Sequence, residues 1–180
     1  MLKIIQADGE AERRQIADMR ARAAETGEGI NATAAAVLKD VWESGYKAVE
    51  RYSMQFDKAA PREITKEEVE AAYAACPQEL IEAMETAAEN IRDYNAKLLP
   101  RTMEWHNPAG TVGRIVRGLT RVGIYVPGGT AAYPSSVLMN AVPAKVAGVQ
   151  EIVMVTPPTE NLNQAVLAAA KIAGVDRVIG

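Results

Sequence analysis

The first hundred residues carry apolar side chains at intervals of three and four, which is the spacing of an amphipathic helix. Between residues 32 and 56 charged residues separate these positions, and the pattern predicts a helix with Asn31 as its N-cap. The apolar stripe consists of Leu38, Val41, Trp42, Val49, Tyr52 and Phe56. Such a stripe must be buried against another surface, and we expect the rest of the chain not to cover it fully.

Two further helices are indicated by the residues at their starts. Thr65 followed three residues later by Glu68 is a capping box, because the hydroxyl and the carboxylate can each accept a hydrogen bond from a free amide. That helix should run through Tyr73. A longer helix is predicted from Gln78 to Leu98, with a proline on either side of it.

Near residue 100 the helical spacing gives way to β-branched runs separated by glycine and proline. The pattern predicts extended segments at 111–116 and 121–126, either as a hairpin or as two adjacent strands, with Gly118 near the bend. Beyond them it predicts, in order, a helix at 135–147, a strand at 152–155, a helix at 161–173 and a strand at 175–179. Pro143 should kink or divide the first of these helices, because its ring clashes with the preceding turn.

Strands that alternate with helices imply parallel pairing through right-handed crossovers. The predicted fold class is therefore α/β: an N-terminal helical arm followed by an incomplete Rossmann-like parallel sheet with flanking helices. The apolar run Ile152–Val155 is what a strand covered on both faces requires. We place a helical dimerisation arm at 1–100 and the first part of a nucleotide-binding domain at 101–180. Because the chain ends within a predicted strand, we expect the sheet to continue in further sequence.

Composition and charge narrow the classes of function. A net charge of -3 gives no excess of positive charge to neutralise phosphates, so no nucleic-acid partner is expected. No apolar segment approaches the roughly 20 residues that span a bilayer, and the N-terminus does not resemble a signal peptide, so we expect a cytoplasmic protein without a membrane partner. The single cysteine, Cys76, and the single histidine, His106, cannot form a multi-thiolate zinc site or a histidine relay. We interpret Cys76 as a small, at least half-buried side chain and His106 as a loop or interface residue.

The segment from Arg121 to Thr130 has the features of a dinucleotide site. A buried strand ends at Gly128 and Gly129, whose missing side chains let backbone amides approach a phosphate, and the positive N-terminus of a helix follows. On these residues alone a plain tight turn is the commoner explanation, since the G-x-G-x-x-G pattern is absent. For Ser135, at the start of that helix, an N-cap without a ligand is likewise the commoner explanation.

The run from residue 121 to 158 resembles the histidinol dehydrogenase family. The strings that carry the resemblance are YVPGG at 125–129 and YPSSVLMNAVPA at 133–144, and YSMQFD at 52–57 is similar to the family's N-terminal region. The resemblance implies a homodimer of interleaved Rossmann-like domains. It also implies an enzyme that uses NAD and zinc to oxidise histidinol through histidinal to histidine, the last step of histidine biosynthesis.

The resemblance further implies roles for individual residues. The tyrosine of YVPGG contacts NAD in the family, so Tyr125 is the predicted NAD contact, at the carboxyl edge of the sheet. Pro127, Gly128 and Gly129 form the turn beside the cofactor. The family's zinc ligands and its Glu-His pair for proton transfer would follow Gly180, so no catalytic residue or metal ligand is assigned in this chain. The alternative for Tyr125 is an aromatic ring that only fills the edge of the sheet.

Three functions remain open at this point. The first is the N-terminal part of a histidinol dehydrogenase that is inactive alone. The second is a non-catalytic nucleotide-binding or dimerisation module, and the third is a related dehydrogenase of another small alcohol. The sequence that follows Gly180 in the gene would distinguish the first from the second.

We predict that the 180-residue protein neither reduces NAD with histidinol nor holds zinc stoichiometrically. Oxidising an alcohol requires a base to remove the hydroxyl proton, and a positioned base contributes roughly 10²- to 10⁴-fold in rate. Metal analysis and absorbance at the NADH band are the measurements, and a longer chain with the family's remaining motifs should give both signals. One tightly held zinc per 180-residue chain, or steady NADH production from histidinol, would contradict the prediction.

Overall fold

The computed structural model describes residues 4–5, 7–128, 133–159 and 162–180, without the side chains of 23–28. The chain divides between Val49 and Glu50 into two compact units. The boundary drawn at residue 100 therefore falls inside the second unit. The role of residues 1–100 as a dimerisation arm stays a prediction.

The first unit is mainly helical in its described residues. Helix α1 (Ala11–Ser44) fills most of it, and α2 (Tyr46–Phe56) begins there. Gly45 separates the two helices with a φ of 60°, and its amide donates to the carbonyl of Val41. A positive φ is open to glycine because it has no β-carbon. The helix predicted over 32–56 is thus broken at Gly45, and the N-cap prediction for Asn31 is wrong, because Asn31 lies inside α1.

Much of the predicted apolar stripe is exposed. Trp42 is 91% exposed, Leu38 is 70% exposed and Phe56 is 63% exposed. The expectation that the rest of the chain does not fully cover the stripe stays a prediction. No helix in the described ranges, α1 included, combines the length and the apolar character needed to cross a membrane.

The second unit contains a mixed sheet. Its elements in chain order are β1 (Glu63–Ile64), α3 (Lys66–Ala75), α4 (Gln78–Leu98), β2 (Met103–Asn107), β3 (Gly110–Arg114), β4 (Arg121–Tyr125), α5 (Pro134–Val146), β5 (Glu151–Val155), α6 (Gln164–Ala173) and β6 (Arg177–Ile179). Strands β4, β5 and β6 are parallel, and β1 pairs antiparallel with β6, which gives the order β1-β6-β5-β4. The α/β class is confirmed. The Rossmann-like classification stays a prediction, and β1 was not predicted.

The helices lie on one face of this sheet. Ile152 and Met154 of β5 are fully buried in a core shared with α3 to α6, whereas Val155 is 43% exposed. The expectation that β5 is covered on both faces is therefore wrong for the described part of the chain. The crossovers through α5 and α6 step in the same direction across the sheet, and two right-handed crossovers of that kind place both helices on the same side.

The β-hairpin differs from the predicted one. Strand β3 pairs with β2, with Trp105 opposite Val112, and β4 pairs with β5 instead. The turn between β2 and β3 is closed by Asn107, whose side-chain oxygen accepts from the amide of Ala109 at 2.9 Å. Such Asx turns mark tight reversals of the chain. His106 consequently lies in a strand, and its assignment to a loop was wrong.

The predictions for the starts of α3 and α4 are confirmed, whereas the prediction for Pro143 is not. The capping box is present: the amide of Glu68 donates to the Thr65 hydroxyl at 3.2 Å, and the Thr65 amide donates to the Glu68 carboxylate at 2.9 Å. Helix α4 has the predicted bounds. Helix α5 runs unbroken through Pro143, so the predicted division is absent.

We predict that Gly118→Ala destabilises the second unit. A β-carbon at position 118 would overlap the carbonyl group of Gly148 and lie 2.6 Å from the carbonyl oxygen of Ala147. Both partners are backbone, so relief requires a shift of the chain, which costs about 1–3 kcal/mol. Gly123→Ala is the matched control, because a β-carbon there meets nothing within 4 Å. Urea unfolding measures both, and equal midpoints for the two variants would contradict this account.

We also predict that Glu68 makes stability depend on pH at the acid end. Two hydrogen bonds from Arg62, at 2.7 and 2.8 Å, and one from the Thr65 amide lower the pKa of Glu68 from 4.5 to about 2. A carboxyl whose folded pKa is depressed stabilises the fold above its unfolded pKa, and this stabilisation is lost as the pH falls through the folded value. The loss should therefore lie between about pH 4.5 and 2.

The test compares unfolding midpoints of the wild type and Glu68→Gln across that pH range. Gln keeps an oxygen for the capping box but has no charge to titrate, so its midpoint should fall less steeply. Because the pair is exposed, the effect is expected to be small. Parallel curves for the two proteins would count against the prediction.

Candidate functional site

The carboxyl ends of three parallel strands meet at one edge of the sheet. Tyr125 is in register with Val155, and Val155 with Ile179. The ladder continues one step further, since the amide of Val126 donates to Val155 and the amide of Thr156 donates to Ile179, both at 2.9 Å. Ligands of open α/β sheets bind beyond this edge, where the loops diverge.

Tyr125 is the last residue of β4, and its side chain is 63% exposed. Strand alternation places it on the face of the sheet opposite the helices, together with Gly123 and Val155. Gly123 leaves open space beside the strand, because a β-carbon there would meet no atom within 4 Å. Tyr125 thus lies at the carboxyl edge of the sheet, as the sequence predicts, and its ring is accessible to solvent. Its role as an NAD contact stays a prediction.

The turn that follows β4 passes close to the loop that follows β5. Pro127 is half-buried and Gly128 is exposed. A β-carbon on Gly128 would lie 3.2 Å from the Pro157 ring and 3.4 Å from the hydroxyl oxygen of Thr156. Glycine at position 128 therefore allows the turn to pass close to the side chains of Pro157 and Thr156 at the carboxyl edge. Gly129, also predicted to lie beside the cofactor, is outside the described residues.

Helix α5 begins near this turn in sequence and has no side-chain cap. Its N-cap residue is Tyr133, and Pro134 occupies the first helical position. The alternative assignment of Ser135 as N-cap is wrong, because Ser135 is already inside the helix. The amide of Ser136 donates to the Tyr133 carbonyl at 3.0 Å. Because Pro134 has no N–H and the Ser136 amide is paired, what this helix start offers an anion is mainly the positive end of the helix dipole.

Thr156 is a residue of this edge that sequence reasoning missed. It is 4% exposed and is the buried polar residue of the part of the chain that the structure describes. The available signal was its position, since it is the first polar residue after the apolar strand β5 and precedes two prolines. A threonine there also suits a plain strand end, so the sequence alone did not single it out.

The described residues offer no metal centre. No group of three or more His, Cys, Asp or Glu side chains in the described ranges is arranged to hold a metal ion. His106 is exposed on β2, with Nδ1 2.7 Å from the Thr111 hydroxyl and Nε2 3.8 Å from Glu104. Cys76 is half-buried at the C-cap of α3, as expected. Zinc does not fit these side chains.

Comparison with known proteins identifies the family of the chain. A family model described as histidinol dehydrogenase matches residues 20–180. The chain belongs to the histidinol dehydrogenase family. The resemblance read from YVPGG and the residues after it is confirmed.

Individual relatives agree with the family model. The chain is 50% identical over 147 residues to the histidinol dehydrogenase of Clostridium acetobutylicum, covering 79% of this chain and 34% of that protein. It is 48% identical over 158 residues to that of Dechloromonas aromatica, covering 84% and 36%. The crystal structure of histidinol dehydrogenase from Elizabethkingia anophelis matches with a TM-score of 0.75 and 33% identity, over 83% of this chain and 36% of that one. This member of the histidinol dehydrogenase family thus spans about a third of the length of its relatives.

Proposed function

We propose that this chain forms the NAD-binding edge of a histidinol dehydrogenase, a cytoplasmic enzyme that oxidises histidinol through histidinal to histidine in histidine biosynthesis. The observation that supports it best is the carboxyl edge of the sheet. An exposed tyrosine, Tyr125, and a glycine that lies close to the Pro157 and Thr156 side chains, Gly128, lie there within the segment that carries the family resemblance.

Within this proposal the chain's residues bind and orient the cofactor. NAD, when bound, supplies the acceptor for the hydride that leaves the alcohol carbon. The ring of Tyr125 offers a flat apolar surface on the open face of the sheet, suited to contact with a ring of the dinucleotide. Pro127 and Gly128 lie in the turn beside it, and the positive end of the α5 dipole favours negative charge.

Zinc binding and proton transfer belong, in this proposal, to the part of the relatives that the chain does not match. The described residues contain no cluster that suits a zinc ion, so no step is assigned to zinc here. The homodimer is supported by the exposed apolar residues of the first unit, Trp42 and Leu38, since large exposed apolar side chains on one helix are typical of interfaces.

We predict that Tyr125→Ala weakens NAD binding by the whole protein about tenfold. An aromatic contact of this kind contributes about 1–1.5 kcal/mol, which corresponds to that change in dissociation constant. Tyr94→Ala is the matched control, because Tyr94 is 64% exposed on α4 and Tyr125 is 63% exposed. The dissociation constant is measured by calorimetry and the melting temperature alongside it. Equal affinity for NAD in the two variants would contradict the role proposed for Tyr125.

A further inference from the structure

Thr156 occupies a central position at the carboxyl edge. Its amide donates to the Ile179 carbonyl at 2.9 Å, which fixes its backbone against β6. Alternation along β5 turns its side chain towards the helices, on the same face as Ile152 and Met154. Tyr125 lies on the opposite face, so the two side chains stand on either side of the same edge.

The two branches of the Thr156 side chain face different neighbours. Its methyl carbon lies 3.4 Å from where a β-carbon of Gly180 would be. Its hydroxyl oxygen lies 3.4 Å from where a β-carbon of Gly128 would be. The methyl group therefore packs towards β6, and the hydroxyl group is directed at the turn after β4. The absence of a side chain at Gly128 leaves room above that oxygen.

The hydroxyl has no hydrogen-bond partner in the described residues, although the Thr156 side chain is otherwise enclosed. Buried hydroxyl groups are normally hydrogen-bonded, because desolvation of an unpaired one destabilises the fold. No fully enclosed side-chain polar atom of the described chain lacks a partner, so this oxygen must retain some access to the exterior. A valine of the same shape would fill the site without leaving a polar atom unpaired.

We propose that Thr156 is a further binding residue of the dinucleotide site, whose hydroxyl hydrogen-bonds an oxygen of the sugar–phosphate portion of NAD. This inference rests on the function proposed above. Sugar and phosphate oxygens accept hydrogen bonds from hydroxyl groups, and in dinucleotide sites they lie beside a glycine turn, where the backbone permits close approach. Binding supplies the partner that the folded chain lacks, so the hydroxyl contributes to affinity and not to stability.

The experiment compares the wild type with two variants of the whole protein, Thr156→Val and Thr156→Ser. For each protein we measure the melting temperature without ligand and the dissociation constants of NAD and of ADP-ribose. Thr156→Val keeps the shape and removes the hydroxyl, so its melting temperature should be unchanged or higher while both dissociation constants rise about tenfold. Thr156→Ser keeps the hydroxyl and removes the methyl group. Its melting temperature should fall, while its affinities stay within about twofold of the wild type. If Thr156→Val does not fold, Thr156→Ala replaces it with the same expected loss of affinity.

The outcomes separate this inference from the proposed function. Wild-type affinity for NAD in Thr156→Val, with NAD bound by the wild type, would overturn the role of Thr156 and leave the NAD site in place. Loss of affinity for NAD but not for ADP-ribose would also overturn it, because the hydroxyl would then face the nicotinamide. A fall in both melting temperature and affinity that serine does not restore would assign Thr156 a structural role only. Failure of the wild type to bind NAD would overturn the proposed function together with this inference.

Discussion

The parallel pairing of β4, β5 and β6 is the constraint on which the rest of the second unit depends. Each parallel pair requires a crossover, and α5 and α6 are those crossovers. Because both are right-handed and advance in the same direction, they bury the same face of the sheet, and α3 and α4 complete that layer. No helix of the second unit packs on the opposite face in the described residues, and the carboxyl ends of all three strands are brought to one edge. The candidate site is a consequence of this arrangement.

The two ends of the sheet differ in chemistry. At the amino ends, ion pairs join neighbouring elements: Arg121 with Glu151 and Arg177 with Glu63. Burial would raise the pKa of Asp176, but hydrogen bonds from Lys145 and from the amide of Ile152, both at 2.7 Å, hold it below its ordinary value. These contacts attach β6 and α5 to β5. The carboxyl edge instead carries the exposed ring of Tyr125, the backbone of Gly128 and the side chain of Thr156, with no ion pair among these three residues.

A sheet with one open face and an exposed edge strand suits a chain that spans about a third of its relatives' length. Strand β1 pairs with the outer edge of β6, and Arg62 extends that pairing through two backbone hydrogen bonds with Gly180. Strand β4 has no comparable neighbour on its outer side in the described residues. Unpaired edges and apolar faces are regions that proteins normally cover.

Features that depend on neighbouring residues could be predicted from the sequence alone. Local hydrogen bonding and spacing predicted three features that the structure contains: the capping box of Thr65 and Glu68, the bounds of α4, and the alternation of strands with helices after residue 120. The strings around Tyr125 also identified the family.

Features that depend on residues distant in the sequence became visible only in the folded chain. Three features depend on which segments meet in space: the pairing of β3 with β2, the two-residue strand β1 and the single buried face of β5. The sequence could not predict them, because an apolar run has the same pattern whichever partner covers it. Thr156 belongs to this second group, because only the fold shows that the residue is buried, that its hydroxyl lies beside Gly128 and that this hydroxyl has no partner among the described residues.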